Sequence, residues 1–243
     1  MDTNKKSAAI VLAAGSGKRM GGSEPKQFLE LGGHPILYYT LKAFEESSVE
    51  EVVLVTSGDW VSYCRDEIVK KGGFSKVIRI VTGGAQRYHS VAKGLEAVTD
   101  AGLVMIHDGA RPFVTPELID DLLQKTREYP ACVTATPLSD TVKLVDEEGF
   151  CMDTPPRDRL WAVQTPQSFS YPLIRKAYQK LLEEEESLLA QKVLITDDAQ
   201  VCELFGGCRV RLVKGSYFNR KLTTPEDLLL AQRLLEITQN REK

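Results

Sequence analysis

The sequence predicts an α/β fold: a doubly wound, mostly parallel sheet flanked by helices, with a protruding β-hairpin arm. Three observations carry this expectation. Six short β-rich runs alternate with helix-like segments along the 243 residues, the rhythm of successive βαβ units. Several runs are nearly continuous in apolar residues, as strands covered on both faces are. One stretch, 137–160, interrupts the rhythm with two extended runs around an acidic turn. Apart from that interruption the pattern is Rossmann-like.

The first strand is Ala8–Ala14. The basic start before it loosely imitates a secretory leader, but the apolar part is short and leads into a glycine turn, so a strand is the reading. Pro35–Glu46 follows as a helix, then strand Glu51–Thr56, helix Val61–Lys71, strand Lys76–Val81, helix Arg87–Val98 and strand Gly102–His107. "TPEL" at Thr115 sets a Thr cap before Pro and Glu and opens helix Pro116–Tyr129. Strand Ala131–Thr136 comes next. From Pro137 to Leu160 the chain reads "PLSDTVKLVDEEGFCMDTPPRDRL". "DTVKLVD" alternates as a strand does, "EEG" is a turn, and a second extended run precedes "TPPRDR". The segment is expected to be a hairpin, either a surface excursion or an arm reaching a partner or a ligand. Helices Pro172–Glu186 and Asp197–Phe205, strand Arg209–Val213 and helix Pro225–Ile237 complete the order, the last opened by "TPED" at Thr224. The charge run "LLEEEESLLAQK" reads as a solvated helix end. With no repeat and no linker-like stretch, residues 1–243 are expected to form a single domain with a β-arm at about 137–160.

Composition narrows the function classes. Hydrophobic residues make up 42% and charged residues 27% of the chain, ordinary for a globular protein. The formal charge of -3 argues against a nucleic-acid partner, which selects a basic excess. No apolar run approaches the ~20 residues of a membrane span. The five cysteines (Cys64, Cys132, Cys151, Cys202, Cys208) are odd in number and form no C-x-x-C pair. They read as reduced thiols of a cytoplasmic protein. The three histidines form no zinc-like cluster.

The chemistry-bearing signal begins at "IVLAAGSGKRMGGSEPKQFLEL", Ile10 to Leu31. It is not a P-loop: Leu12 stands where the first glycine belongs, and Arg19 follows Gly17-Lys18. It is not a complete dinucleotide fingerprint: Gly15 and Gly17 fit, but Met20 holds the third position. The remaining functional reading is phosphate binding at the carboxyl edge of the sheet, where α/β ligands bind. Glycines let backbone N–H groups approach an anion. Arg19 offers a planar fork and Lys26 a mobile point charge. The plain alternative is a tight turn with solvated cations. Other segments favour the first reading. "VTGGAQRYHSV" makes a second close-approach loop at Gly83-Gly84, with Ser90 in the helix that follows. "MIHDGARPF" ends a buried strand in Asp108, with Arg111 close behind. A strand-end aspartate facing anionic loops suits a magnesium ligand, and a helix cap or turn is its ordinary alternative. "SYFNRKLTTPEDL" puts Lys221 just ahead of a helix start, where anions bind.

In this order, "LAAGSGKRM…PKQFLEL", "GGAQRYHSV", "HDGARPFV", "DTVK", "RDRLWAVQTPQSF", "TDDA" and "NRKLTTPEDL" resemble the 2-C-methyl-D-erythritol 4-phosphate cytidylyltransferases of non-mevalonate isoprenoid biosynthesis, within the sugar-nucleotidyltransferase superfamily. The resemblance runs from Ala8 to about Leu235. It implies attack of the phosphate of methylerythritol phosphate on the α-phosphorus of CTP, with loss of pyrophosphate and help from Mg²⁺ or another divalent cation. It implies transition-state stabilisation by Arg19 and Lys26. Ala13, Ala14, Gly15, Ser16 and Gly17 would line the nucleotide and its phosphates; Gly83, Gly84 and Ser90 would hold cytosine and ribose. Asp108 would serve the metal, with Gly109 beside the nucleotide. Arg111 and Lys221 would hold the acceptor phosphate. Thr141 and Arg157 lie on the arm, which in the family crosses to the second subunit of a homodimer. The choice of Arg157 over Arg159 rests on alignment across "RDRLW", Ala85 is assigned no role, and the role of Asn219 stays open. Two other readings stand beside this one. Ribitol 5-phosphate cytidylyltransferase shares most motifs, although "RDRLWAVQTPQSF" leans toward methylerythritol phosphate. A CTP-binding regulator without chemistry is opposed by Arg19, Lys26 and Asp108 standing together.

Overall fold

The computed structural model describes residues 6–15 and 24–241. Seven strands form one sheet in the order β11-β7-β10-β6-β1-β4-β5. They are β1 Ser7–Ala13, β4 Glu51–Thr56, β5 Val77–Thr82, β6 Leu103–Asp108, β7 Ala131–Pro137, β10 Trp161–Ser170 and β11 Arg211–Lys214. β1 pairs in parallel with β4 and β6, β4 with β5, and β11 with β7. Side-chain alternation in β1 feeds two apolar layers. Ala9, Val11 and Ala13 enter one, with Leu37, Leu41 and Phe44 of α1 (Ile36–Glu46) and Leu122 of α4 (Pro116–Glu128). Ala8 and Ile10 enter the other, with Val91 and Leu95 of α3 (Arg87–Ala97) and Ile174 and Tyr178 of α5 (Tyr171–Glu183). Helices on both faces therefore explain why β1 and β6 are apolar along almost their whole length. Thr115 caps α4 by accepting from the Leu118 N–H.

Three departures from the sequence expectation follow from physics that period-counting does not register. First, Trp161–Ser170, to which the sequence pattern assigns no element, is β10, antiparallel to both β6 and β7. Its middle is the polar "QTPQS", and Pro166 cannot donate to a ladder. The strand accommodates this proline at a cis Thr165–Pro166 bond, where the register with β7 shifts between Val163 and Gln167. Second, three expected helices form but are not single regular α-helices. Pro172–Glu186 divides at Glu184 into α5 and α6 (Glu185–Ala190). Asp197–Phe205 begins as a short α7 (Asp198–Val201) and continues in a wide π-helical turn, Cys202–Gly206. Val61–Lys71 likewise begins as α2 (Val61–Tyr63) and continues in a wide π-helical turn over Cys64–Lys70. Third, Glu30–Leu31 (β2) and His34–Pro35 (β3) pair across Gly32-Gly33 in a two-stranded ribbon not expected from the sequence. The last helix, α8, runs Pro225–Arg241.

The arm is a hairpin of β8 (Leu144–Val145) and β9 (Cys151–Asp153). Leu144, Val145, Phe150 and Met152 on it are all more than half exposed. Among the described residues, no helix is long and apolar enough to cross a membrane.

Candidate active site

The carboxyl ends of β1, β5 and β6 open into a cleft of about 470 Å³. At its β1 edge, buried Gln27 donates from Nε2 to the carbonyls of Ala13 (2.6 Å) and Gly15 (3.0 Å). The turn Lys26–Phe28 is anchored by Phe28, buried and stacked on Trp60 at 4.4 Å. These contacts fix the chain directly after Lys26, which lines the cleft with Ala14 and Gly15. The β5 edge meets the β1 edge directly. A Cβ on Gly83 would stand 2.6 Å from the Ala14 Cβ and 2.7 Å from the Ser90 Oγ, so only glycine lets the two loops touch. Ser90 Oγ accepts from the Gly84 N–H at 3.0 Å. The loop is closed at the start of α3 by a capping box between Gln86 and His89, and His89 Nε2 reaches Glu185 of α6 at 3.0 Å.

At the floor stands Asp108, the last residue of β6. Lys221 Nζ donates to its Oδ2 at 2.9 Å; Arg87 Nε lies 3.5 Å from Oδ1 and Arg111 Nε 3.8 Å from Oδ2. Burial alone would raise the carboxyl pKa, but the charges of Arg87, Lys221 and Arg111 overcome it and hold Asp108 well below the usual carboxylate range. Arg87 is itself clamped. Its two terminal nitrogens donate to the fully buried Asp198 at 2.8 and 2.7 Å, and Tyr178 donates to the same carboxylate at 2.5 Å. This bidentate pair, with Asp108, outweighs burial and raises the Arg87 pKa well above its ordinary value. His107 faces away from this chemistry. The Thr165 hydroxyl accepts from the Asp108 N–H at 3.0 Å and pairs with His107 Nδ1 at 3.2 Å. Burial lowers the His107 pKa to about 3 and keeps the ring neutral.

A second recess of about 270 Å³ adjoins the cleft through Arg87, Asp108 and Lys221, and adds Arg111, Gln164, Thr196 and Asp197. Four cations (Lys26, Arg87, Arg111, Lys221) therefore face Asp108, Asp197 and Asp198, an excess of positive charge in a net acidic chain. Among the described residues no three His, Cys, Asp or Glu side chains converge to hold a metal. Asp108 is a single carboxylate, and it suits a divalent ion only as a partner to phosphate oxygens.

The structure brings together Ala14, Gly15, Lys26, Gly84, Ser90, Asp108 and Lys221 on the cleft and Arg111 on the recess. Ala13 and Gly83 stand directly behind these loops, and Gly109 donates to the Leu12 carbonyl at 2.8 Å beside them. Ser16, Gly17 and Arg19 lie outside the described residues. Thr141 and Arg157 line neither cavity of this chain: both are exposed on the arm, where Arg157 Nη1 donates to the Ser139 carbonyl at 2.8 Å. Asn219 is a buried brace. It donates to the Thr165 carbonyl at 2.8 Å and accepts at its own carbonyl from Arg111 at 2.7 Å. Sequence reasoning passed over Gln27, Arg87, Thr196 and Asp197. Their signal lay in quoted motifs, "PKQF", "GGAQRYHSV" and "TDDA", but the pairing of residues 87 and 198 is long-range and has no periodicity.

The family model for 2-C-methyl-D-erythritol 4-phosphate cytidylyltransferase matches residues 7–237. The chain belongs to this family. It is 42% identical to the 2-C-methyl-D-erythritol 4-phosphate cytidylyltransferase of Lachnoclostridium phytofermentans, over 95% of this chain and 97% of the relative. To that of Clostridium novyi it is 45% identical, over 95% and 97%. Among solved structures, the 4-diphosphocytidyl-2C-methyl-D-erythritol synthase of Anaerococcus prevotii superposes with a TM-score of 0.82 at 34% identity, covering 96% of each chain. The cytidylyltransferase of Thermus thermophilus gives 0.73 at 32%, covering 93% of this chain and 98% of that one. As a member of this cytidylyltransferase family the chain is a nucleotidyltransferase enzyme.

Proposed function

We propose that the chain joins CTP to 2-C-methyl-D-erythritol 4-phosphate, giving 4-diphosphocytidyl-2-C-methyl-D-erythritol and pyrophosphate. The observation that carries this reading is the buried Asp108 with Lys221, Arg87 and Arg111 around it, at the floor of a cleft rimmed by glycine loops and Lys26. An acceptor phosphate oxygen forms a bond to the α-phosphorus, and the bond to the β-phosphate breaks. Gly83, Gly84 and Ser90 receive the base and ribose, and the Ala13–Gly17 loop the phosphates. Arg111 and Lys221 hold the acceptor phosphate. Arg19 and Lys26 stabilise the charge that builds on the α-phosphate and the leaving group. The nucleophile is already anionic near neutral pH, since the second phosphate pKa is about 6, so no general base is required and the neutral His107 need not serve as one. A divalent cation would arrive with the triphosphate beside Asp108 and neutralise its oxygens. The arm is proposed to cross a two-fold axis and carry Thr141 and Arg157 to a partner subunit's cleft.

The test is pyrophosphate release from each of the four nucleoside triphosphates with methylerythritol phosphate or ribitol 5-phosphate, with and without Mg²⁺. Release with CTP, Mg²⁺ and methylerythritol phosphate is expected. Faster release with ribitol 5-phosphate would reassign the acceptor. CTP binding with no release from either would leave a regulator.

A further inference from the structure

Away from the cleft, the wide turn after α7 brings two thiols together. Cys202 Sγ and Cys208 Sγ lie 3.2 Å apart and are six positions apart in the chain. The turn is built for this approach. Gly207 adopts a positive φ of 64°, the left-handed conformation that reverses a chain at little cost only for glycine. A Cβ on Gly206 would stand 3.0 Å from the Cys202 sulfur, so a side chain there would crowd it. Cys202 is buried and Cys208 is partly exposed. The other cysteines have no such neighbour: Cys64 and Cys132 are buried apart, with burial pushing each thiol up to about 11, and Cys151 is exposed on the arm.

We propose that Cys202 and Cys208 form a reversible dithiol–disulfide site that takes low-molecular-weight disulfides of the glutathione class as its oxidant. The partly exposed Cys208 is the entry thiol. Its thiolate attacks one sulfur of the oxidant; the oxidant's S–S bond breaks and one small thiolate leaves. Cys202 then loses its proton, its sulfur attacks Cys208 Sγ, and the second small thiolate leaves. Two protein thiols become one disulfide, and their two electrons and two protons reduce the oxidant to two thiols. Burial, with the Cys208 and Glu203 neighbours, raises the Cys202 pKa, so Cys202 is the resolving thiol and not the first attacker.

Both cysteines fall in one tryptic peptide, 193–209, whereas Cys151 falls in another, 144–157. The folded protein is titrated with oxidised glutathione at fixed reduced glutathione, thiols are trapped with iodoacetamide, and peptides are weighed. Peptide 193–209 should lose two hydrogens and both carbamidomethyl groups, and regain them after dithiothreitol. Because the fold holds the sulfurs together, the pair should oxidise at an oxidant ratio about tenfold or more below that needed by the synthetic peptide 193–209. Cys208→Ser should abolish the change, and Cys202→Ala should trap a glutathione adduct on Cys208. Equal midpoints for protein and peptide, a stable adduct on Cys208 in the unmutated chain, or modification confined to Cys151 would each overturn the proposal.

Discussion

Lys26 and His107 show how differently a charge and a buried ring are used within one site. Lys26 lines the cleft from a turn anchored by its neighbours Gln27 and Phe28. Lys26→Ala should therefore leave the fold intact and lower turnover by about a hundredfold, the scale for removing one preorganised charge from a transition state. Circular dichroism and pyrophosphate release measure the two halves, and near-normal turnover of a folded variant would remove Lys26 from the chemistry. His107 bears on stability. Its pKa is about 3 when folded, against an ordinary 6.5. Between those values the unfolded chain binds a proton that the folded chain refuses, so stability rises with pH across the window and is flat above it. The slope approaches about 1.4 kcal/mol per pH unit for one proton. Asp108, depressed below its ordinary 3.8, adds a slope of the same sign only beneath that value. In His107→Asn, where the side-chain amide can replace Nδ1 as the partner of Thr165, the slope between pH 3.8 and 6.5 should flatten by about one proton in urea titrations. An unchanged slope would assign the proton elsewhere.

Elements make the site by meeting, and the meetings are the part the sequence shows least. β1, β4, β6 and α4 were legible because apolar continuity and a Thr-Pro-Glu cap are local signals. β10 was not, because its polar centre and Pro166 are tolerated only at a register shift against β7, a property of the pair of strands. Asp108, Arg111, Lys221 and both glycine loops were legible as residues. The recess behind them was not, since it needs α3, β10 and the segment before α7 side by side. The clamp between α3 and α7 is the clearest case. Asp198 binds Arg87 through two bonds and accepts from Tyr178 of α5. Asp198→Asn leaves Arg87 with a weakened partner in a buried setting. Stability should fall by about 3 kcal/mol, the scale for breaking a buried pair, read as a lower urea midpoint. A midpoint equal to that of the unmutated chain would show that the three elements hold together without the clamp.

For the whole molecule the arm is decisive. Leu144, Val145, Phe150 and Met152 are exposed together on a hairpin whose two strands, among the described residues, pair only with each other, a surface that calls for burial. If the arm is exchanged in a two-fold dimer, Lys26→Ala and Arg157→Ala chains refolded together should complement. A mixed dimer then has one site with both lesions and one intact. Random pairing makes about half the dimers mixed, so about a quarter of the unmutated activity should return with independent sites. No recovery from a preparation shown to contain mixed dimers would refute the exchanged arm. The roots of the arm carry a further consequence. Pro137 and Trp161 are directly opposite each other in the β7–β10 ladder, and the Leu138 N–H donates to the Leu160 carbonyl at 3.1 Å. The arm leaves and rejoins the sheet at one rung. Replacing residues 139–159 by a two-residue Asn-Gly turn should therefore keep the seven-stranded sheet whole, and under the exchanged-arm proposal it should give a folded monomer, read by circular dichroism and sedimentation. On the exchanged-arm proposal, folding and assembly would be encoded in separable stretches of chain, and a contact between subunits could diverge while the core stays under its own constraints.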